Sequence, residues 1–170
     1  ELYGNSEGIA LAAWTSTNEK IKKSEAVAVR QDIFVGPNTT IPNANVKGIF
    51  EDATRIFAGF AQPQSFYAVY YRFQDKDWAK AKFGELNLSH LAGQVDGSCG
   101  SLQRCNGASA GKASSTVGFS QYGVGEPGSN TDTYHLGGGL EIHEYTHIAQ
   151  AMQFIGKQKD DQNFNYLPRW

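Results

Sequence analysis

The sequence has no apolar run long enough to cross a bilayer. The longest, such as Ile9-Ala10-Leu11-Ala12-Ala13-Trp14, fall far short of the roughly 20 residues that a spanning helix needs. It also has no basic excess. Fifteen Lys+Arg stand against 17 Asp+Glu, a formal net charge of -2, so bulk charge provides no counterion release toward a nucleic acid or an anionic membrane. There is no internal repeat and no long block of like charge. The first residue is Glu1 rather than Met, and Leu167-Pro168-Arg169-Trp170 is an apolar, aromatic cluster suited to the middle of a fold. The expectation is a processed or partial chain, one lobe of a larger protein. The residues that are present support a packed core: 170 of them, 40% hydrophobic, 12% aromatic and only 19% charged, the size of one ordinary domain.

Apolar periodicity outlines the elements. Residues 9–23 read as a helix, weakened by Thr15-Ser16-Thr17-Asn18. Residues 25–35, with Val27, Val29, Ile33, Phe34 and Val35, read as a strand or hairpin arm that Gly36-Pro37-Asn38 ends. Between 45 and 60, Val46, Ile49, Phe50, Ala53, Ile56, Phe57 and Phe60 recur at three- and four-residue steps, an apolar stripe along one helix face. Pro63 closes that helix. Residues 65–73 are aromatic and almost continuously apolar, the mark of a strand well inside a sheet. Asp75 or Asp77 is expected to cap a short helix through Trp78, Ala81 and Phe83. The Gly/Ser/Asn-rich stretch 93–115 reads as an irregular, exposed excursion, and 116–122 as a short strand. Helix and strand signals interleave without a clean βαβ repeat, which places the chain in the α+β class.

The residues that carry chemistry are His143-Glu144-Tyr145-Thr146-His147. On a helix, residues four apart share a face, so His143 and His147 can present two imidazole nitrogens to one metal ion. Glu144 lies about 100° around the same helix, off the ligand direction but within reach of a water held by the metal. That arrangement suits metal-assisted hydrolysis, in which zinc lowers the pKa of its water toward about 7 and a carboxylate takes the proton. With His143 at 0°, Leu140, Ile142, Tyr145, Ile148, Ala149, Ala151, Met152 and Ile155 fill an arc between roughly 60° and 260°. The motif helix is therefore largely buried, and Gly156 can end it, with Lys157 and Lys159 near the negative end of its dipole. The competing reading is a pair of satisfied core histidines beside a surface glutamate.

Residues 140–150 resemble the active-site helix of the zincin metallopeptidases, whose signature is this two-histidine, one-glutamate pattern. The preceding order of strand, helix, aromatic strand, loop and short strand is also similar to the upper lobe of that fold, a mixed twisted sheet packed on helices. The resemblance implies a single metallopeptidase lobe with Zn2+ as cofactor, His143 and His147 as its ligands, Glu144 as the catalytic general base, and a peptide or protein as substrate. Two places set the branch. A metzincin carries Gly and His where this chain has Gln150 and Gln153. A gluzincin takes its third ligand from a Glu on a later helix, and no glutamate follows Glu144 here. Residues 166–170, however, resemble the approach to that second helix, so the third ligand is expected a few residues beyond Trp170. Asp160 and Asp161 are the candidates if an aspartate serves instead. The alternative is a non-catalytic extracellular binding or surface protein that keeps a zincin scaffold.

Other features bear on context. Residues 65–73 or 116–122 can supply a sheet edge for an extended substrate by strand addition, or can simply be core sheet. Tyr134 and His135 can approach the metal or lie in an exposed loop, and His90 reads as a surface residue. Cys99 and Cys105 bracket a short loop, and an oxidised pair there suits an exported protein; two free thiols are the alternative. Asn38-Thr39-Thr40 and Asn87-Leu88-Ser89 match the N-glycosylation acceptor pattern. Together these features point to a secreted or otherwise extracytoplasmic protein.

Overall fold

The computed structural model describes residues 6–129 and 131–153. It begins with helix α1 (Ser6–Lys23), which forms through the Thr15–Asn18 stretch despite its low propensity. Strand β1 (Arg30–Val35) follows, then α2 (Val46–Ile56) and β2 (Ser65–Tyr71). Strands β1 and β2 run parallel in direct register, Ile33 opposite Ala68. They form a βαβ unit with α2 as its crossover, which the interleaved sequence pattern had not suggested.

Helix α3 (Lys76–Glu85) and the short α4 (Ala92–Ser98) come next. They lead into a two-stranded hairpin, β3 (Cys99–Ser101) with β4 (Arg104–Cys105), then β5 (Ala108–Lys112) and β6 (Val117–Gly123). The expected irregular excursion over 93–115 is thus largely ordered. Its order comes from a hairpin and from burial: β5 pairs antiparallel with the next strand, β6, and Val95, Cys99 and Cys105 are buried. The chain then enters α5 (Thr131–Leu136) and α6 (Gly139–Met152). Gly156, Lys157, Lys159, Asp160, Asp161 and residues 166–170 lie outside the described residues.

The main sheet has the order β1-β2-β6-β5, parallel except for β5. Along β2 alternate side chains enter two cores. Phe66, Ala68 and Tyr70 meet Val46, Phe50 and Ala53 of α2 and Tyr145, Ile148 and Met152 of α6. Val69 and Tyr71 face the other way, onto Ala79 and Phe83 of α3 and Val95 of α4. A strand buried on both faces needs no polar alternation, which explains the continuous apolar run. The result is a mixed sheet between two helical layers, the coarse α+β architecture expected. Phe60 falls beyond α2 and is 58% exposed, outside the apolar stripe assigned to it.

Two local devices hold the second layer. Cys99 and Cys105 face each other across the hairpin as a disulfide, so neither remains a thiol. Asp75 occupies the N-cap position of α3 without capping it. Its buried carboxylate accepts instead from the Asn38 backbone N–H at 3.0 Å, Asn38 Nδ2 at 2.7 Å and Thr39 Oγ1 at 2.6 Å. Thr39 Oγ1 in turn accepts from the Arg72 N–H. Asn38, one of the two candidate glycan acceptors, therefore has its amide nitrogen committed to a carboxylate.

Cross-linking a loop this short reduces denatured-chain entropy by an amount worth about 2 kcal/mol. The double substitution Cys99→Ala/Cys105→Ala is expected to lower unfolding free energy by at least that much in urea denaturation, because two buried side chains are also truncated. Unchanged stability would show that the bridge is energetically idle.

Candidate metal centre

Helix α6 is fixed to the sheet before any chemistry is considered. Gly138 opens it at φ +70°, a left-handed conformation that L side chains rarely adopt, and a Cβ there would also strike Ile49 at 2.8 Å. Gly118 of β6 lies directly under Ile148, where a Cβ would sit 2.5 Å from Cγ2. Helix and sheet approach closely because that side chain is missing. Farther along, Tyr145 donates to Gln62 Oε1 at 2.7 Å, and Gln153 Nε2 donates to the Ala61 carbonyl at 2.8 Å. Both bonds tie α6 to the α2–β2 connection.

This seating decides which way the motif points. Glu141, Glu144, Tyr145, Ile148, Ala149, Ala151 and Met152 are buried, as the apolar arc on the helical wheel requires. His143 is exposed and His147 half-buried on the opposite edge. Their rings stand nearly perpendicular, and the two Nε2 atoms converge to 3.3 Å. Two imidazole lone pairs at that distance repel unless a proton or a cation lies between them. Tetrahedral zinc with Zn–N bonds of about 2.0–2.1 Å needs its two nitrogens roughly 3.3–3.4 Å apart, so the pair fits the ion. Gln150 Oε1 lies 3.2 Å from His147 Nδ1. As an acceptor it holds the proton on Nδ1 and leaves Nε2 free to ligate.

Glu144 sits on the enclosed side of the same turn, 5% exposed, and its Oε2 has no hydrogen-bond partner. Burial raises its pKa above the ordinary glutamate value, and the neighbouring His143 partly offsets the rise. A carboxylate with one unpartnered, poorly solvated oxygen is a stronger proton acceptor than one at the surface.

A second group was missed by sequence reasoning. His135, expected at the metal or in an exposed loop, is fully buried, whereas Tyr134 beside it is 65% exposed. His135 Nδ1 lies 2.6 Å from Glu141 Oε1, which also accepts from the Tyr70 hydroxyl at 3.2 Å. Tyr122 stacks on Tyr70 at 4.5 Å and meets the His135 ring edge-on. The available signal was Glu141 itself, a charge at about 160° on the wheel, in the middle of the apolar arc. His90 is exposed, as expected.

Neither strand proposed as a substrate edge is an edge: β2 and β6 are the two interior strands. Among the described residues the outer strands are β1 and β5, and β5 packs beside α6. Among the described residues no group of three or more His, Cys, Asp or Glu side chains is placed to hold a metal, so the pair His143–His147 has no third protein ligand there. Comparison with protein-family models, curated proteins and solved structures gives no match, which leaves the side-chain geometry as the basis for a functional reading.

A glutamate whose folded pKa is raised binds protons more tightly in the folded chain than in the unfolded one. Stability therefore declines as pH rises above the ordinary value of 4.5. With a chelator present, Glu144→Gln is expected to unfold at a higher temperature than the wild type at pH 7, and the gain should vanish below that value. Thermal scans across pH test this; a variant less stable than wild type at pH 7 would contradict it.

Proposed function

We propose that this chain is the zinc-binding lobe of a secreted metallopeptidase of the zincin type, closest to the gluzincin pattern. One observation carries the reading: two Nε2 atoms 3.3 Å apart on one turn of helix, with a buried glutamate beside them. His143 and His147 would hold the ion, with Gln150 fixing the tautomer of His147. When bound, zinc acidifies a water ligand and polarises the carbonyl under attack. Glu144 accepts the proton, because burial has already made its charged form unfavourable.

The substrate follows from the sheet. Among the described residues, strand β5 pairs with a strand on one side, β6, and it packs beside α6. An extended peptide can lie along its outer edge through main-chain hydrogen bonds. Two histidines alone bind zinc weakly, so the reading calls for a further ligand besides those among the described residues. Export is supported by the disulfide.

Glu144→Gln is expected to lower peptide hydrolysis by about 10²–10⁴-fold or more while leaving near-stoichiometric zinc in elemental analysis. His147→Ala should lose the zinc as well. Zinc uptake should weaken as pH falls, because each imidazole must shed a proton to ligate. Full turnover in Glu144→Gln would refute the assigned base. Zinc bound without hydrolysis of any peptide in a library would favour a surface protein that retains the scaffold.

A further inference from the structure

Past the carboxyl ends of β2 and β6 lies a cavity of about 270 Å3, lined by Leu102, Gln103, Cys105, Gly125, Glu126 and Ser129. The Val124 N–H donates to the Tyr71 carbonyl at 2.8 Å, and the Gly123 N–H to the Gly107 carbonyl at 2.8 Å. The segment that carries Gly125 and Glu126 is thus anchored to the ends of the strands. In open sheets of parallel strands, ligands bind in the crevice outside those carboxyl ends.

Both walls are rigid, for independent reasons. One is the β3–β4 hairpin, whose Leu102–Gln103 tip is closed at its base by the Cys99–Cys105 disulfide. The other is a tight turn over Glu126-Pro127-Gly128-Ser129. Its second residue is proline, Gly128 takes φ +78° at the third position, and the Ser129 N–H donates to the Glu126 carbonyl at 3.0 Å. Those are the marks of a type II turn. A cavity between two braced walls loses little further entropy when a ligand enters.

The lining selects the chemistry of that ligand. Glu126 is half-buried and carries the only charge among the six residues. Among the described residues its carboxylate has one hydrogen bond, a long one from Gln74 Nε2 at 3.4 Å, and no lysine or arginine partner. It repels an anion, and a neutral apolar group would displace its solvent without a compensating bond. A metal ion needs more than one carboxylate, and no group of three His, Cys, Asp or Glu side chains is placed for one among the described residues. A cationic head on an apolar stem meets each requirement. The head can pair with Glu126 and the Gln103 amide oxygen, and the stem can pack on Leu102, which is 40% exposed. Arg104 does not compete for the space. Consecutive strand residues point to opposite faces, so with Cys105 buried Arg104 is turned outward.

We propose that this cavity is a binding subsite for a lysine or arginine side chain of an extended polypeptide. The cavity stands on its own walls, and its use in substrate selection rests on the peptidase reading. Strand β5 starts at Ala108, three residues after Cys105, which is about 10 Å of extended chain. A peptide laid along the outer edge of β5 reaches the cavity with a residue just beyond the Ala108 end of the strand.

The test uses the full chain and blocked pentapeptides with Lys, Arg, norleucine or Glu between flanking alanines. NMR titration of the chelated protein reads binding without turnover. Shifts are expected at Leu102, Gln103, Gly125 and Glu126, with the Lys and Arg peptides bound about three- to tenfold more tightly than the norleucine peptide. Glu126→Gln should remove that difference while leaving melting temperature and zinc content unchanged, and Glu126→Lys should transfer the preference to the Glu peptide. An absence of shifts at those residues, equal binding of all four peptides, or a preference that survives in Glu126→Gln would overturn the proposal. Cationic binding by a protein without peptidase activity would keep this inference and remove the function proposed above. Peptide hydrolysis with no cationic preference in binding would do the reverse.

Discussion

The contact on which the rest depends is the close approach of α6 to β6, made where Ile148 rests on the bare backbone of Gly118. A helix pressed that tightly against a sheet cannot rotate without opening voids in a core packed to crystal-like density. Its rotational setting therefore assigns every side chain of the motif at once. Tyr145, Ile148 and Met152 enter the core and carry Glu141 and Glu144 in with them. The histidines are left together on the far edge with their nitrogens converging.

Burying two carboxylates on one helix face is expensive, and the molecule treats them differently. Glu141 lies in the first turn of α6, where the helix dipole favours negative charge, and it is bonded by His135 and Tyr70. Glu144 has no such help beyond the nearby His143. The contrast follows a pattern in which neighbouring carboxylates acquire separate roles from their surroundings. Glu141 is held in place by its hydrogen bonds, and Glu144 is poised to take a proton in the proposed reaction.

The two faces of the sheet divide the remaining work. One carries α2 and α6 with the histidines and the two buried glutamates. The other carries α3 and α4, the disulfide hairpin and the Asp75 clasp that joins the β1–α2 loop to the start of α3. The central strand β2 serves both, since successive side chains point to opposite faces. The side of the sheet that presents the histidines is therefore braced from behind by a layer that combines an apolar core, a disulfide and the Asp75 hydrogen bonds.

Local patterns were enough to reveal α2, β2, β6 and the motif helix, because a dominant apolar period survives without knowledge of partners. The spacing of His143 and His147 implied a shared face, since four residues on a helix come nearly full circle. Where the outcome depended on residues distant in sequence, reading along the chain did not reach it. The segment 93–115 looked unstructured for another reason: its Gly/Ser-rich composition masks a hairpin with the adjacent β6 and a disulfide between residues six apart. β2 and β6 could not be told from edge strands, because strand order is set by which strands find each other in space. Asp75 turned from a helix cap into a clasp once Asn38 and Thr39 were brought beside it. His135 passed for a loop residue until folding placed it on Glu141, because the energy of a buried charge depends on its neighbours, and only the tertiary structure supplies them.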